Sequence, residues 1–238
     1  MRIKLLFIGL FALGILLNTS CELDNYDEPK SFLKGRLVYQ GEAINVSYND
    51  VGFELWEPGW PKKTQIWVFV DQDGSFSSRI FDATYKLIIP KWEGPFMSKY
   101  NDATNSDTIE VVLNGNKTID IEVMPFYMIR NPSFSVSSRT ITATCSVEKI
   151  ITDANARDIT NVSIFVNKGY FVDYKRNIAS EHIKGGRISD WNNVSISVDV
   201  PTFSSLQMPE QDYVFVRLGI GIDGREDMLF SPVVKIDL

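Results

Sequence analysis

The stretch IEVVLNGNKTIDIEV, residues 109–123, alternates apolar and polar side chains on both sides of Asn114-Gly115-Asn116. Ile109, Val111 and Leu113 share one face of the first run, and Ile119, Ile121 and Val123 share one face of the second. A period of two puts such residues on one side of a strand, whereas a helix needs 3.6. Asn and Gly tolerate the positive φ of a tight turn, so the stretch predicts two strands joined as a hairpin.

The same period runs outward in both directions. Ile66, Val68 and Val70 alternate with Trp67 and Phe69, and Asp73-Gly74 and Asp223-Gly224 read as further hairpin turns. Ile141, Ala143, Cys145 and Val147 share a face, as do Val194, Ile196, Val198 and Val200; Val214 to Ile222 leads through Asp223-Gly224 toward Val234, Ile236 and Leu238. No helical run exceeds a turn or two. Short strands separated by turns favour two-sheet sandwiches over parallel βαβ units, so the fold class is all-β. Met124-Pro125, followed by Asn131-Pro132, marks a boundary. Residues 32–124 and 125–238 are therefore expected as two tandem β-sandwiches, each of ordinary size for one such unit. At 44% hydrophobic and 12% aromatic residues, the chain can fill both.

The N-terminus reads as a secretory signal. Arg2 and Lys4 give the positive end, Leu5 to Leu17 an uncharged apolar run of thirteen, and Ser20 a small residue before Cys21. A membrane-spanning helix needs roughly twenty residues. Processing before a cysteine is the habit of bacterial lipoproteins, although Leu17 sits one place further from the cysteine than the lipobox usually has it. Residues 1–20 are thus expected to be removed, with Cys21 as the lipid attachment point and outer-membrane lipid as its partner. Acyl chains hold a protein by about 0.8 kcal/mol per buried CH₂. Residues 21–31, with Glu22, Asp24, Asp27 and Glu28, read as an acidic tether. Loss of Arg2 and Lys4 would take the formal net charge from −6 to about −8, which makes nucleic acid a poor partner. With Cys21 lipidated only Cys145 remains, so no internal disulfide is expected.

Three segments of residues 32–124 carry a resemblance: FLKGRLVYQGEAI, DQDGSF and DATYKL. They resemble the carboxypeptidase regulatory-like, or transthyretin-like, sandwich, whose pattern D-x-x-G-x-F followed by G-x-Y is met by Asp71, Gly74, Phe76 and Tyr85. Ala83 stands where that pattern has glycine. The whole chain, down to VFVRLGIGIDGREDMLFSPVVKIDL, is similar to a two-domain lipoprotein family of gut Bacteroidetes associated with glycan-utilisation importers. That resemblance implies an immunoglobulin- or fibronectin-like second domain. It also implies an acidic tether that serves as a surface-export address, and a partner complex of the starch-utilisation type.

Residues able to do chemistry are few. His182, the single histidine, sits in SEHIKGGRISDW, read as a polar loop with no nucleophilic serine in context. Cys145 falls on the inward face, where burial disarms a thiol. Asp71-Gln72-Asp73-Gly74-Ser75 begins like a calcium loop, but Phe76 and Asp82 stand where an EF-hand needs glycine and glutamate, so it reads as a turn. No catalytic residue, metal site or cofactor is expected.

Aromatic residues are the remaining signal. Trp56 and Trp60 flank Pro58-Gly59, and Trp92 lies in PKWEGPFMSKY; all three read as loop residues. Exposed indoles on rigid loops stack against sugar rings, yet a loop beside a small sandwich also tucks its tryptophans over the open end of the core. Both readings stay open, for Trp191 as well, while Trp67 belongs to the sheet. Two functions follow. One is a non-catalytic, surface-exposed lipoprotein of a glycan-capture complex, binding oligosaccharide through Trp56, Trp60 or Trp92. The other is a spacer or protein-interaction module that binds no sugar.

Overall fold

The computed structural model describes residues 27–59, 62–202 and 211–238. The first half contains β1 (Ser31–Tyr39), β2 (Glu42–Ala43), β3 (Gly52–Trp56), β4 (Ile66–Phe69), β5 (Ser75–Ile80), β6 (Ala83–Ile88), β7 (Phe96–Ser98), β8 (Ile109–Leu113) and β9 (Lys117–Pro125). One sheet has the order β2-β1-β9-β7, with β5 also paired to β1; the facing sheet has the order β4-β3-β6-β8. The second half contains β10 (Tyr127–Ser137), β11 (Thr140–Lys149), β12 (Ile159–Asn167), β13 (Ala179–Lys184), β14 (Val194–Asp199), β15 (Tyr213–Ile222), β16 (Leu229–Phe230) and β17 (Val234–Asp237). There β10-β11-β14 faces β13-β12-β15-β16, with β17 also on β15. The chain is all-β, in tandem sandwiches, as its period of two requires. No helix among the described residues is long and apolar enough to cross a membrane.

The pairing of residues 109–123 differs from the expected hairpin. β8 pairs with β6, while β9 runs parallel to β1 in the opposite sheet. Gly115, at φ 77°, does reverse the chain, but polar groups pull its two sides apart. The Gly115 amide donates to Asp82 Oδ1 at 2.9 Å, on the β5–β6 turn, and Asn116 Oδ1 accepts from the Phe32 amide of β1 at 3.0 Å. Val111, Leu113, Ile121 and Val123, all 2% exposed or less, meet the core from opposite sides. Asp73-Gly74 likewise makes a corner between sheets, from β4 to β5, closed by Asp71 N donating to Ser75 O at 2.7 Å. Asp223-Gly224 is a hairpin connection as expected, because β15 and β16 pair antiparallel.

In the first sandwich Phe53 and Phe76 meet edge to face at 4.9 Å, and the buried Tyr85 donates its hydroxyl to Phe81 O at 2.8 Å. Burial pushes the Tyr85 phenol up to about 12 and the Cys145 thiol up to about 11, so Cys145 is inert as the sequence suggests. His182 is not in a loop. It lies in β13, opposite Ser163 of β12, and is exposed. β13 is an edge strand whose core side carries only Ala179 and Ile183, with the exposed Glu181 between them, so it lacks the apolar alternation that would reveal it.

The two halves meet without a spacer: β9 ends at Pro125, β10 begins at Tyr127, and only Phe126 stands between. Phe126 is 1% exposed; its amide donates to Pro95 O at 3.2 Å and its carbonyl accepts from Ile150 N at 3.0 Å. Buried apolar residues form one continuous cluster through both halves. Polar groups cross the junction as well. Phe230 N donates to Asn45 O at 3.0 Å, and Gln72 Nε2 donates to Tyr170 O at 3.0 Å. The wholly buried Arg217 of β15 donates from Nη1 to Val46 O at 3.0 Å and stacks 3.7 Å above the Phe230 ring.

Close approach of β1 and β9 depends on Gly35, where a Cβ would fall 1.6 Å from Ile119 O. Gly35→Val is therefore expected to push β9 off β1 and cost about 3 kcal/mol or more, measured by chemical denaturation. A loss below about 1 kcal/mol would mean that the strands separate freely.

Candidate functional site

Four loops converge at the junction. Segment 47–51 precedes β3; residues 90–94 follow β6; residues 172–177 lie between β12 and β13; residues 223–228 join β15 to β16. Each is held by its own polar contacts. Asp173, fully buried, accepts at Oδ1 from the amides of Lys175 (2.9 Å) and Arg176 (2.7 Å) and at Oδ2 from Arg176 Nη1 (2.6 Å). That fixes the turn which presents Tyr174 and Lys175. Both reach into the first half: Tyr174 donates its hydroxyl to Asp50 Oδ2 at 3.0 Å, and Lys175 Nζ lies 2.8 Å from the same oxygen.

Two further carboxylates bind backbone amides. Glu93 Oε2 accepts from Gly52 N at 3.1 Å, and Asp227 Oδ2 accepts from Gly94 N at 3.0 Å, the latter across the junction. These groups line a cleft of about 470 Å³ with Asn49, Glu226 and Trp92. Trp92 is 71% exposed, so it does not plug the core. Burial, with the negative charges of Asp227, Asp50 and Glu226 adding to it, pushes Glu93 up to about 7 despite the Gly52 amide. Burial also raises Asp227. No group of three His, Cys, Asp or Glu side chains among the described residues could hold a metal ion. An exposed indole beside carboxylate, amide and ammonium groups in a concave site has the chemistry of sugar recognition: a flat apolar face with hydrogen-bonding groups at its rim.

The other sequence candidates are placed differently. Trp56 is the last residue of β3 rather than a loop residue; it is half-buried, and its Nε1 donates to Glu54 Oε2 at 2.8 Å. Gly52, which Glu93 holds, is at the other end of β3, roughly 13 Å away at the usual strand rise. Trp56 and Trp92 therefore do not form one platform. Trp60 and Cys21 lie outside the described residues. Trp67 is in β4 as expected, its ring 6.0 Å from that of Phe69. Trp191 is half-buried and lines a separate cavity of about 520 Å³ with Tyr127. Asp50, Glu93, Tyr174, Lys175 and Asp227 carried no local signal. They become neighbours only when the two sandwiches dock.

Residues 31–124 match the family described as "Protein of unknown function (DUF3823) N-terminal domain", and residues 127–235 match the "Domain of unknown function (DUF3823_C)". Among solved structures, a DUF3823 family protein from Bacteroides ovatus is 29% identical with a TM-score of 0.75, covering 88% of this chain and 100% of its own. Another from Parabacteroides merdae is 28% identical with a TM-score of 0.75, covering 89% and 100%. A Bacteroides uniformis structure described as a proposed carbohydrate binding protein is 19% identical with a TM-score of 0.68, covering 88% and 100%, a likeness of fold. Comparison with curated proteins gave no match.

Glu93 makes the junction sensitive to pH. Its folded carboxyl, raised from 4.5 to about 7, keeps a proton that the unfolded chain has already released in that window. The folded state then binds more protons, so stability falls as pH rises from 4.5 through 7. Glu93→Gln is expected to lose less melting temperature than wild type between pH 5 and pH 8, with Asp227 leaving a residual slope in both. Parallel melting profiles would show that Glu93 is ionised in the folded chain throughout.

Proposed function

The chain belongs to the two-domain DUF3823 family, and from that premise we propose that it is a non-catalytic accessory lipoprotein of glycan capture. In this reading Cys21 carries the lipid, the acidic segment 21–31 spaces the protein from the outer membrane toward the cell exterior, and a glycan importer of the starch-utilisation type is its setting. Oligosaccharide binds at the Trp92 cleft. The observation that carries the reading is the 71% exposure of Trp92 on a short loop, beside polar groups contributed by both sandwiches.

Other features agree with it. Glu93 and Asp227 each commit an oxygen to a backbone amide, which suits groups that hold loops in place. Preformed loops save the ordering cost that weakens flexible binders. The carbohydrate-binding description of one structural neighbour points the same way. Trp92, rather than Trp56, is the stacking residue, because the Trp56 indole is half-buried and tied to Glu54.

Trp92→Ala separates this reading from a spacer role. Removing an exposed indole is expected to leave stability within about 0.5 kcal/mol of wild type. Affinity for the oligosaccharide that wild type selects from a plant and host glycan panel is expected to fall about tenfold, measured by isothermal titration. A variant that melts lower and binds unchanged would place Trp92 in packing and favour the spacer.

A further inference from the structure

The loops that form the Trp92 cleft have a second side. Glu93, Glu226 and Asp227 line the cleft with Trp92, while Lys91 and Arg225, from the same two loops, line a larger cavity of about 820 Å³. Its wall includes Arg157, Phe126 and Tyr100, the last 55% exposed. The guanidinium carbons of Arg157 and Arg225 lie 5.7 and 5.1 Å from the centroid of one ring, that of Phe126. Neither has a carboxylate at ion-pair distance among the described residues. Each is held instead by a backbone carbonyl: Arg157 Nη1 donates to Asp223 O at 3.0 Å, and Arg225 Nη1 donates to Lys91 O. Arg225 Nε is buried with no hydrogen-bond partner among the described residues. Asp107, Asp158 and Asp223 also border the cavity, but Asp158 and Asp223 are exposed to water.

Two like charges over one ring, one with a buried Nε left unpaired and neither with a carboxylate in contact among the described residues, favour entry of an anion, even with Asp227 acting on Arg225 from the far side of its loop. A guanidinium offers a fork of donors that fits the oxygens of a carboxylate or sulfate. The cavity lies in the size range that takes small ligands, and Tyr100 adds an aromatic wall. We propose that this cavity binds the carboxylate or sulfate group of an acidic sugar. The oxyanion site stands on the two arginines; its assignment to a sugar rests on the glycan reading of the adjoining Trp92 cleft.

The test titrates the full chain at low salt with sodium sulfate, with a galacturonate trisaccharide, and with the same trisaccharide after reduction of its carboxyls. The charged trisaccharide is expected to bind at least tenfold more tightly than the reduced one, and sulfate to compete with it. Arg157→Gln and Arg225→Gln should each remove that preference without weakening the reduced trisaccharide. Melting curves check folding, and the less enclosed Arg157 carries the test if the Arg225 variant fails to fold. Equal affinity for charged and reduced trisaccharides, no response to either oxyanion probe, or charge preference surviving in Arg157→Gln would overturn the proposal. Trp92→Ala distinguishes the two sites. Charge-selective binding lost in Arg157→Gln but intact in Trp92→Ala supports the cavity and tells against the cleft; Trp92-dependent binding without charge preference does the reverse.

Discussion

Phe126 is the residue on which the arrangement turns. A single buried residue carries the chain from β9 to β10, its amide bonded to the β6–β7 connection and its carbonyl to the segment after β11. With no slack between the sandwiches, neither can rotate without breaking buried hydrogen bonds and parting apolar surface. Neighbouring domains in one chain move relative to each other unless their interface is large and hydrophobic. Here the apolar cluster runs through both, and Arg217 is stacked and bonded inside the join. Its side chain is an expensive one to bury: burial lowers it to about 9, and its Nε and Nη2 have no partner among the described residues.

That constraint makes surfaces which neither sandwich has alone. Asp50 and Glu93 belong to the first half, Tyr174, Lys175 and Asp227 to the second, and they touch because Phe126 leaves no room for a linker. The same two loops send Trp92, Glu93, Glu226 and Asp227 to one side and Lys91, Asp223 and Arg225 to the other, so the two faces of the junction differ in charge over a short distance. Both clefts are carried by loops on a rigid scaffold, where binding residues concentrate.

Legibility in the sequence followed the range of each interaction. Alternation reports which face of a strand is buried, and it located the strands around Ile109–Val123 and Ile141–Val147 correctly. It carries no information about which neighbour a strand takes. The Asn114-Gly115 turn therefore read as a hairpin, although Asp82 and Asn116 draw its sides into different sheets. His182 reads as a loop residue because Glu181 interrupts the short apolar side, Ala179 and Ile183, of the edge strand that holds it. The exposure of Trp92 could not be read locally, since it depends on how a loop leaves β6 and on what docks beside it. The remaining cleft residues and the paired arginines lie in separate segments, joined only by the junction.

With one apolar cluster running through both sandwiches, the two form one cooperative unit. Differential scanning calorimetry of the full chain tests this most directly. A single transition, with calorimetric and van't Hoff enthalpies equal, is the predicted result. Two resolved transitions would contradict the claim, because clefts built from both halves would then dissolve while one half was still folded.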